Sequence, residues 1–592
     1  MNKLTKLSIA LITASASALS QADTINYNFE TITTAPEFKD SFPVDMNDSR
    51  EAISANLTIF EHPIDLSLLD FDGRDQTLAN TLSSVGVDNV SYLERVKKGN
   101  FDSASLRTVL NYLRSNANDG RYQQVAAYRS SFADDNESQE LVVFDSINPE
   151  TGELSYFNNE QARSINNLGW IAGDSSSTFN KQQFNDETWL IPNFIRRGFV
   201  KTKNRVIELL PPYNEIVGGV SYATDISDSG WVVGYGSVEA TNRLLARQLT
   251  CEQLSSTREQ DEIAEPRHSE ACIWGGDLIS VPSSVADVNL GFNGRIREQL
   301  AFYKTHALMW QVNANGEVSQ PIDLGIALDD SATVNQASYY SRAFAVNNEG
   351  YAVGDSHVVT VDNLVRLQAT LFHNGNVHVI TNPQTYIQSR AVDINDNNII
   401  IGTMVDTAGT SRVQKSFYYD LNSSDVVVQK IDDFSVGANT YARAINNQNV
   451  VVGQTETSSL SGGLTPKHGF VYYTDTDEMF DLNDLVTCKT DMTITDAVAI
   501  NNDGAILAHA SYTQTARNIM NQQVTNASGE LVREQVEYSV RLIPDASGMF
   551  DCVTPDGDVK IKRQGASSSW FFLGLFFITF LFKNHFSNRK TI

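Results

Sequence analysis

The twelve residues Ala442–Gly453 read ARAINNQNVVVG, and versions of this box recur along the chain. Its consensus is Ala-x-x-Ile/Val-Asn-Asn/Asp-x-Gly-x-Val-Val-Gly, and a box repeated at similar spacing is typical of a repeat-built fold. Successive copies start 61, 120, 48, 51 and 55 residues apart, so the interval of 120 predicts a decayed copy near Val285. The other five clear copies begin at Ala162, Ala223, Ala343, Ala391 and Ala497.

Each box is predicted to be a β-hairpin. Its Ala-x-x-Ile-Asn part ends one strand, its Val-Val-Gly part begins the next, and the residues between form a turn whose last position needs a positive φ. Glycine occupies that position in four copies and asparagine in two, and asparagine tolerates the left-handed region best after glycine. The predicted turn residues are Gly169, Gly230, Gly350, Asn398, Asn449 and Gly504.

Further short strands follow each box, for example KSFYY from Lys415 and HGFVY from His468. Alternating or short apolar runs between turn residues are strand signals. Each module therefore supplies about four strands in about 56 residues. About seven such modules favour an all-β, propeller-like array, whose closure leaves only short edges, and a β-solenoid is the alternative.

The box and the strand that follows it resemble the HAF family of extracellular repeats, named for a His-Ala-Phe strand. Tyr472–Leu485 (YYTDTDEMFDLNDL) is similar to the family's hairpin with its Asp-Leu-Asn ending. The resemblance covers about residues 160–550 and implies a β-propeller or a related β array. It brings no known activity that can be transferred to this chain.

Both ends of the chain look like targeting segments. Lys3 and Lys6 precede an apolar stretch, and Ser20-Gln21-Ala22 is a small-x-small site, so residues 1–22 are predicted to be a signal peptide cleaved between Ala22 and Asp23. At the other end, Trp570–Phe582 is thirteen apolar residues long, and Lys583, Arg589 and Lys590 follow it. Basic residues beyond an apolar run place that end in the cytoplasm.

The C-terminal pattern resembles the GlyGly-CTERM sorting signals of Gram-negative bacteria. That resemblance implies cleavage by a sorting protease near Gly565 and Ala566, followed by type II secretion, although Gly-Ala-Ser replaces the usual glycine pair. The alternative is a C-terminal membrane anchor. In both cases the chain is expected to be exported across the inner membrane and to contact the membrane through its C-terminal helix.

The chain is acidic, with 71 Asp and Glu against 44 Lys and Arg, a formal net charge of −27. Removing residues 1–22 and 570–592 takes away five positive charges and no negative ones, so the remaining chain has a formal net charge of −32. Nucleic-acid binding needs clustered Lys and Arg, so this charge excludes that class of partner.

The four cysteines fit an oxidising compartment, because an even count in an exported chain indicates two disulfides. Three pairings are open. The nearest-neighbour pairing joins Cys251 to Cys272, around a charged insertion, and Cys488 to Cys552. A metal site is disfavoured, because no pair has Cys-x-x-Cys spacing.

The predicted domain order is a signal peptide (1–22), a small α+β cap (23–135), the repeat domain (136–555), a linker (556–569) and the hydrophobic C-terminal helix with its basic tail (570–592). Within the cap, Val44–Ser49 is read as a worn copy of the box, and a helix is predicted from Ser103. The hairpin from Glu140 is expected to supply the strand that closes the ring.

No catalytic constellation, cofactor motif or metal motif stands out. Gly354-Asp355-Ser356 has the appearance of a lipase motif, but Gly173-Asp174-Ser175 occupies the same place in another copy, so repetition explains both. The acidic stretch Asp393–Asn398 fits a turn, with calcium as the alternative ligand, since it lacks the Gly and Glu of a full calcium loop.

The sequence therefore predicts a secreted or surface-tethered binding protein whose ligand is a glycan or a protein. Trp170 and Trp231, at matching positions after the turn, are candidates for a ligand surface or for the core. One alternative is an extracellular hydrolase with carboxylates at the centre of the propeller. Another is a structural or adhesion protein of the envelope.

Overall fold

The structure is a computed structural model. It describes residues 25–545 and 561–562, except for residues 118, 136, 148–151, 257–267, 275–301, 329–338, 407–411, 425–426, 459–464, 487 and 490–491. The predicted signal cleavage at Ala22 and Asp23, the sorting site at Gly565 and Ala566, and Cys552 lie outside the described residues.

Short β-strands make up most of the described chain. In chain order they are β1 (Asn26–Thr31), β2 (Phe38–Met46), β3 (Ala52–Ile59), β4 (Gly86–Val87), β5 (Val90–Ser91), β6 (Tyr128–Ala133), β7 (Ser138–Leu141), β8 (Glu160–Ile165), β9 (Ile171–Ser175), β10 (Phe179–Phe184), β11 (Glu187–Pro192), β12 (Arg197–Lys201), β13 (Val206–Leu209), β14 (Ser221–Ile226), β15 (Trp231–Ala240), β16 (Tyr303–Gln311), β17 (Ile322–Gly325), β18 (Ser341–Val346), β19 (Ala352–Val359), β20 (Val365–His373), β21 (Asn376–Val379), β22 (Ser389–Ile394), β23 (Ile399–Asp406), β24 (Val413–Asp420), β25 (Gln429–Lys430), β26 (Thr440–Ile445), β27 (Val450–Glu456), β28 (Lys467–Tyr473), β29 (Glu478–Asp481), β30 (Cys488–Lys489), β31 (Thr493–Ile500), β32 (Ile506–Thr515), β33 (Arg533–Asp545) and β34 (Ile561–Lys562).

Helices are few and occur in the connections. They are α1 (Gln76–Ser84), α2 (Tyr92–Val96), α3 (Ser103–Ser115), α4 (Asn242–Ser256), α5 (Ser269–Trp274) and α6 (Leu482–Leu485), with a 3-10 turn at Leu66–Leu68. The predicted helix from Ser103 is α3, and it buries its apolar face. Its N-cap is Asp102, whose carboxylate accepts a hydrogen bond from the backbone N–H of Ser105 at 2.9 Å.

The described strands form a β-propeller of seven blades, each a four-stranded antiparallel sheet, which confirms the predicted fold class. In blades 1 to 6 the strands run in chain order from the axis outwards, and in blade 7 the N-terminal strand β1 is the outermost. Blades 1 to 7 are β2-β3-β6-β7, β8-β9-β12-β13, β14-β15-β16-β17, β18-β19-β20-β21, β22-β23-β24-β25, β26-β27-β28-β29 and β31-β32-β33-β1.

The N-terminal strand closes the ring. β1 pairs antiparallel with β33, from Asn26 opposite Asp545 to Thr31 opposite Val540, and becomes the outer strand of blade 7. The segment expected to form a separate cap, residues 23–135, thus supplies this strand and most of blade 1. Glu140, in the hairpin expected to close the ring, lies instead in β7, the outer strand of blade 1.

The interval of 120 residues holds an insertion. β15 and β16 lie on either side of it and pair directly, with Trp231 opposite Gln311, so both belong to blade 3. Val285 lies outside the described residues. The box that completes the set of seven is the worn copy at Val44–Ser49, which forms the end of β2 and the following turn in blade 1.

Antiparallel order gives the ring two distinct faces. The turns between first and second strands and between third and fourth strands lie on one side, which we call the turn face. The connections between second and third strands, and those from one blade to the next, lie on the opposite side, which we call the loop face.

Small residues of the box allow the strands and blades to approach closely. Ala162, Ala223, Ala343 and Ala391 have no exposed surface. A Cβ on Gly453 would lie 2.1 Å from the backbone oxygen of Tyr441 and 2.9 Å from a ring carbon of Phe470. Trp170 and Trp231 are partly buried against apolar clusters that join neighbouring blades.

Candidate functional site

A cavity of about 190 Å³ lies on the ring axis at the turn face. All seven blades line it, each through the end of its first strand and the turn that follows. The predicted turn residues Gly169, Gly230, Gly350, Asn398, Asn449 and Gly504 have φ between 60° and 82°, the left-handed region.

The first asparagine of the box joins each turn to the next blade. Oδ1 of Asn446 accepts from the backbone N–H groups of Gln448 and Val450, both at 3.0 Å, and so shapes its own turn. Its Nδ2 donates to the backbone oxygen of Asn501, in the next blade, at 3.0 Å. The same inter-blade contact runs from Asn47 to Asn166, Asn166 to Ser227, Asn347 to Asn395, Asn395 to Asn446 and Asn501 to Asn47.

The second polar residue of the box repeats this arrangement nearer the solvent. The N–H of Asn447 donates to Oδ1 of Asn502 at 2.9 Å, and the N–H of Asn502 donates to Oδ1 of Asp48 at 2.8 Å, which links the last blade to the first. Blade 3 carries Ser227 in place of the first asparagine, and its Ser229 hydroxyl donates to Asn348 O at 3.0 Å. The Asn-Asn/Asp pair therefore closes the ring as well as forming the turn.

Three aspartates lie two residues before the first asparagine position of the box, in alternate blades, and therefore deeper along the axis. Asp45, Asp225 and Asp393 accept from the N–H of the next residue in their own strand at 2.8 Å. Their second carboxylate oxygens accept from the following blade, from the N–H groups of Ile165 (2.9 Å), Val346 (2.8 Å) and Ile445 (2.8 Å). Each carboxylate thus bridges two blades.

These three carboxylates are costly to ionise. Burial, together with the negative charge of Asp225, raises the pKa of Asp45 and Asp393 to about 7 against the lowering effect of their N–H donors. Burial also raises the pKa of Asp225, although the Ser164 hydroxyl donates to its Oδ1 at 2.6 Å and opposes that shift. Part of the axial ring is therefore uncharged near neutral pH.

The oxygens of the acidic stretch Asp393–Asn398 already accept backbone hydrogen bonds. Besides Asp393, Oδ1 of Asn395 accepts from Ile399 N at 2.9 Å and Oδ1 of Asp396 accepts from Asn348 N at 3.0 Å. Within the described ranges, no group of three or more His, Cys, Asp or Glu side chains is arranged to hold a metal ion. Calcium binding at this stretch stays a prediction.

The Gly-Asp-Ser repeats also have a structural explanation. Asp355 is fully buried between Arg342, whose Nη2 lies 2.7 Å away, and Arg390, whose Nε lies 2.9 Å away. Burial would raise the pKa of Asp355, but the two guanidinium groups outweigh it and hold the pKa below its ordinary value. Asp174 pairs with Arg163 at 2.9 Å and with Arg196, all within blade 2, so the motif joins neighbouring strands and, at Asp355, also neighbouring blades.

Three long insertions rise from the loop face of blades 1, 2 and 3, and sequence patterns did not predict their association. We call residues 60–127, 176–196 and the described part of 241–302 the crest. Glu187, in β11 of the second insertion, pairs with Arg74 of the first at 3.1 Å and with Arg121 at 2.6 Å. Lys181 pairs with Asp65 at 2.6 Å.

The second insertion also contacts the third. Gln182 hydrogen-bonds His268 at 3.0 Å, and Trp189 packs with Ala271 of α5. The predicted disulfide between Cys251 and Cys272 is present and joins α4 to α5. Cys488 lies in β30, and its proposed partner is outside the described residues. The crest is consequently one connected body over three blades.

Most of the exposed large apolar side chains lie on the loop face, which also holds the longest connections. In the described part of the chain, eleven of the sixteen lie in its connections, and five lie at the turn-face ends of blades. The most exposed are Val436 at 95 % and Val361 at 84 %. The other nine on the loop face are Val85, Val87, Val90, Ile147, Leu210, Leu245, Leu249, Leu364 and Leu531.

Comparisons with known proteins place this chain in a family. The family described as "Protein of unknown function (DUF3466)" matches residues 1–581, so the chain belongs to it. A search of curated proteins finds no match. Among solved structures the chain is similar to the β-propeller domain of the Trilobed protease from Pyrococcus furiosus, described as having an open velcro topology, at 10% identity and a TM-score of 0.24, over 64% of this chain and 92% of that one.

No helix among the described residues is both long enough and apolar enough to cross a membrane. The apolar run Trp570–Phe582 lies outside them.

Proposed function

We propose that this chain is an exported binding protein that recognises a macromolecular partner with its loop face. The observation that carries the proposal is the crest, whose three insertions are joined into one body by the ion pairs of Glu187 and Lys181 and by the contacts of Gln182 and Trp189. Such a preorganised surface lowers the entropic cost of binding. The two most exposed large apolar side chains of the described residues, Val436 and Val361, lie on the same face.

The hydrolase alternative has less support at the axis. Paired-carboxylate hydrolysis needs one carboxylic acid and one carboxylate free to reach the substrate. Asp45, Asp225 and Asp393 each accept N–H groups from two blades, so their oxygens hold the ring together. An envelope adhesion role is a form of the same binding proposal, with the C-terminal segment providing retention.

Hydroxyl-radical footprinting of the full chain tests this proposal. The chain is oxidised alone and mixed with envelope fragments of a Gram-negative bacterium, and the modification of individual side chains is measured by mass spectrometry. We expect protection at Val361, Leu364 and Val436 on the loop face. Leu168 and Val318, exposed on the turn face, are the matched controls and should react equally in both samples. Equal reactivity at the loop-face positions would remove the proposal.

A further inference from the structure

The chain returns to the loop face before its C-terminal segment begins. β33 is the third strand of blade 7, so Asp545 lies at the turn face. Ile561 and Lys562 then pair with Lys489 and Cys488, which belong to the connection between blades 6 and 7. That connection lies on the loop face, so the residues after Lys562 depart from this side of the ring.

Only seven residues, 563–569, separate this point from Trp570. At 3.3–3.6 Å per residue they span at most about 25 Å. The apolar run Trp570–Phe582 and the basic residues after it have the composition of a segment that enters a bilayer. A bilayer holding that run lies within this distance of the loop face at Lys562.

The exposed apolar residues of the loop face are distributed over several blades. They project from separate places: a hairpin with Val85, Val87 and Val90, a loop of blade 4 with Val361, and the connection before blade 6 with Val436. These places belong to different blades and form no common groove for a peptide among the described residues. A lipid surface needs no such groove to contact separate apolar side chains.

We infer that the loop face lies against a lipid bilayer, with its exposed valines and leucines in contact with lipid and with the turn face directed away. This inference rests on the proposed function, because it names the partner of the same face. It adds an orientation that the C-terminal segment alone does not impose.

Tryptophan quenching by brominated lipids tests the inference on the full chain. The variants V361W and V436W place the probe on the loop face, and L168W is the matched control on the turn face. All three positions are exposed, so the substitutions disturb little packing. Each variant is bound to vesicles of phosphatidylethanolamine and phosphatidylglycerol, with and without bromine on the acyl chains, and its emission is compared with that of the parent chain.

We expect brominated vesicles to quench the added emission of V361W and V436W and to leave that of L168W unchanged. The parent chain contains five tryptophans besides Trp570, so the difference in quenching between the parent and the variant W570F reports independently whether the C-terminal segment has entered the bilayer. A bound chain with unquenched V361W and V436W overturns the bilayer assignment, whatever the behaviour of Trp570. So does a chain that does not bind these vesicles.

The two proposals fail separately. Footprint protection on envelope fragments without quenching on pure lipid identifies a protein, a glycan or a second copy of the chain as the partner; it retains the proposed function and rejects the bilayer. Quenching of L168W in place of the loop-face probes rejects both.

Discussion

The axial aspartates make the stability of the ring depend on pH. A carboxyl group with a pKa near 7 in the folded state and about 3.9 in the unfolded state binds more protons when folded, so its contribution to stability is greatest at low pH and falls as pH rises. For Asp393 taken alone, linkage gives a loss of about 2–3 kcal/mol between pH 5 and pH 8.

The repeats themselves supply a suitable variant. Blades 4, 6 and 7 carry Ala345, Ala444 and Ala499 where blade 5 carries Asp393, so D393A installs a side chain that the fold accepts at this depth. The variant loses two backbone hydrogen bonds and also loses the titration. Wild-type protein should exceed it in stability most at pH 5, and the gap should shrink by about 2–3 kcal/mol at pH 8.

Urea unfolding followed by tryptophan fluorescence, at pH values from 5 to 8.5, measures this gap. D393N is the control, because neither asparagine nor alanine titrates and the difference between the two variants should stay constant. A gap between wild type and D393A that is constant or grows with pH would refute the assignment of a raised pKa to the axial carboxylates.

Three further predictions concern the contacts that hold the ring and the crest. N446A removes three hydrogen bonds of a buried amide and should lower the free energy of unfolding by about 3 kcal/mol, whereas N447A, at the exposed neighbouring position, should cost about 1 kcal/mol or less in the same urea titration. D355N leaves two buried guanidinium groups without their carboxylate and should cost about 3–5 kcal/mol by calorimetry, against no measurable change for D362N on an exposed loop. Reduction of Cys251–Cys272, which closes a loop of sequence separation 21, should lower the stability of the crest by about 3 kcal/mol, seen as faster limited proteolysis of α4 and α5; unchanged cleavage after reduction would contradict it.

Local patterns predicted the repeat and its fold because each box carries its own turn chemistry. Asn398 and Asn449 replace glycine where φ is 60° and 62°, a constraint that acts within four residues and is therefore visible in one sequence. The strand pairing that closes the ring could not be predicted from such local patterns. Asn26–Thr31 has no box, and its pairing with β33 joins residues about 500 positions apart.

The sequence showed the polar residues of the axis and their part in the turns, but it did not show that they also join neighbouring blades. The turn explains why Asn446 precedes a left-handed residue, and nothing in a single box indicates that its Nδ2 reaches the next blade. The alternation of Asp225 and Asp393 with Ala345 likewise gains meaning only when the blades are placed side by side. The partners in the crest, Arg74 and Glu187, lie 113 residues apart and share no motif.

The repeat constrains the residues of the turn face more strongly than those of the loop face. At the turn face each asparagine must meet the same backbone group of the next blade, so every box keeps nearly the same residues around the axial cavity. The connection between second and third strands carries no such requirement, and it ranges from residues 360–364 in blade 4 to residues 60–127 in blade 1. The connections of the loop face can therefore differ in length and sequence without opening the ring, whereas the turns of the turn face cannot. We therefore expect a ligand-specific surface to lie on the loop face, as the proposed function requires, whereas the axial aspartates hold neighbouring blades together.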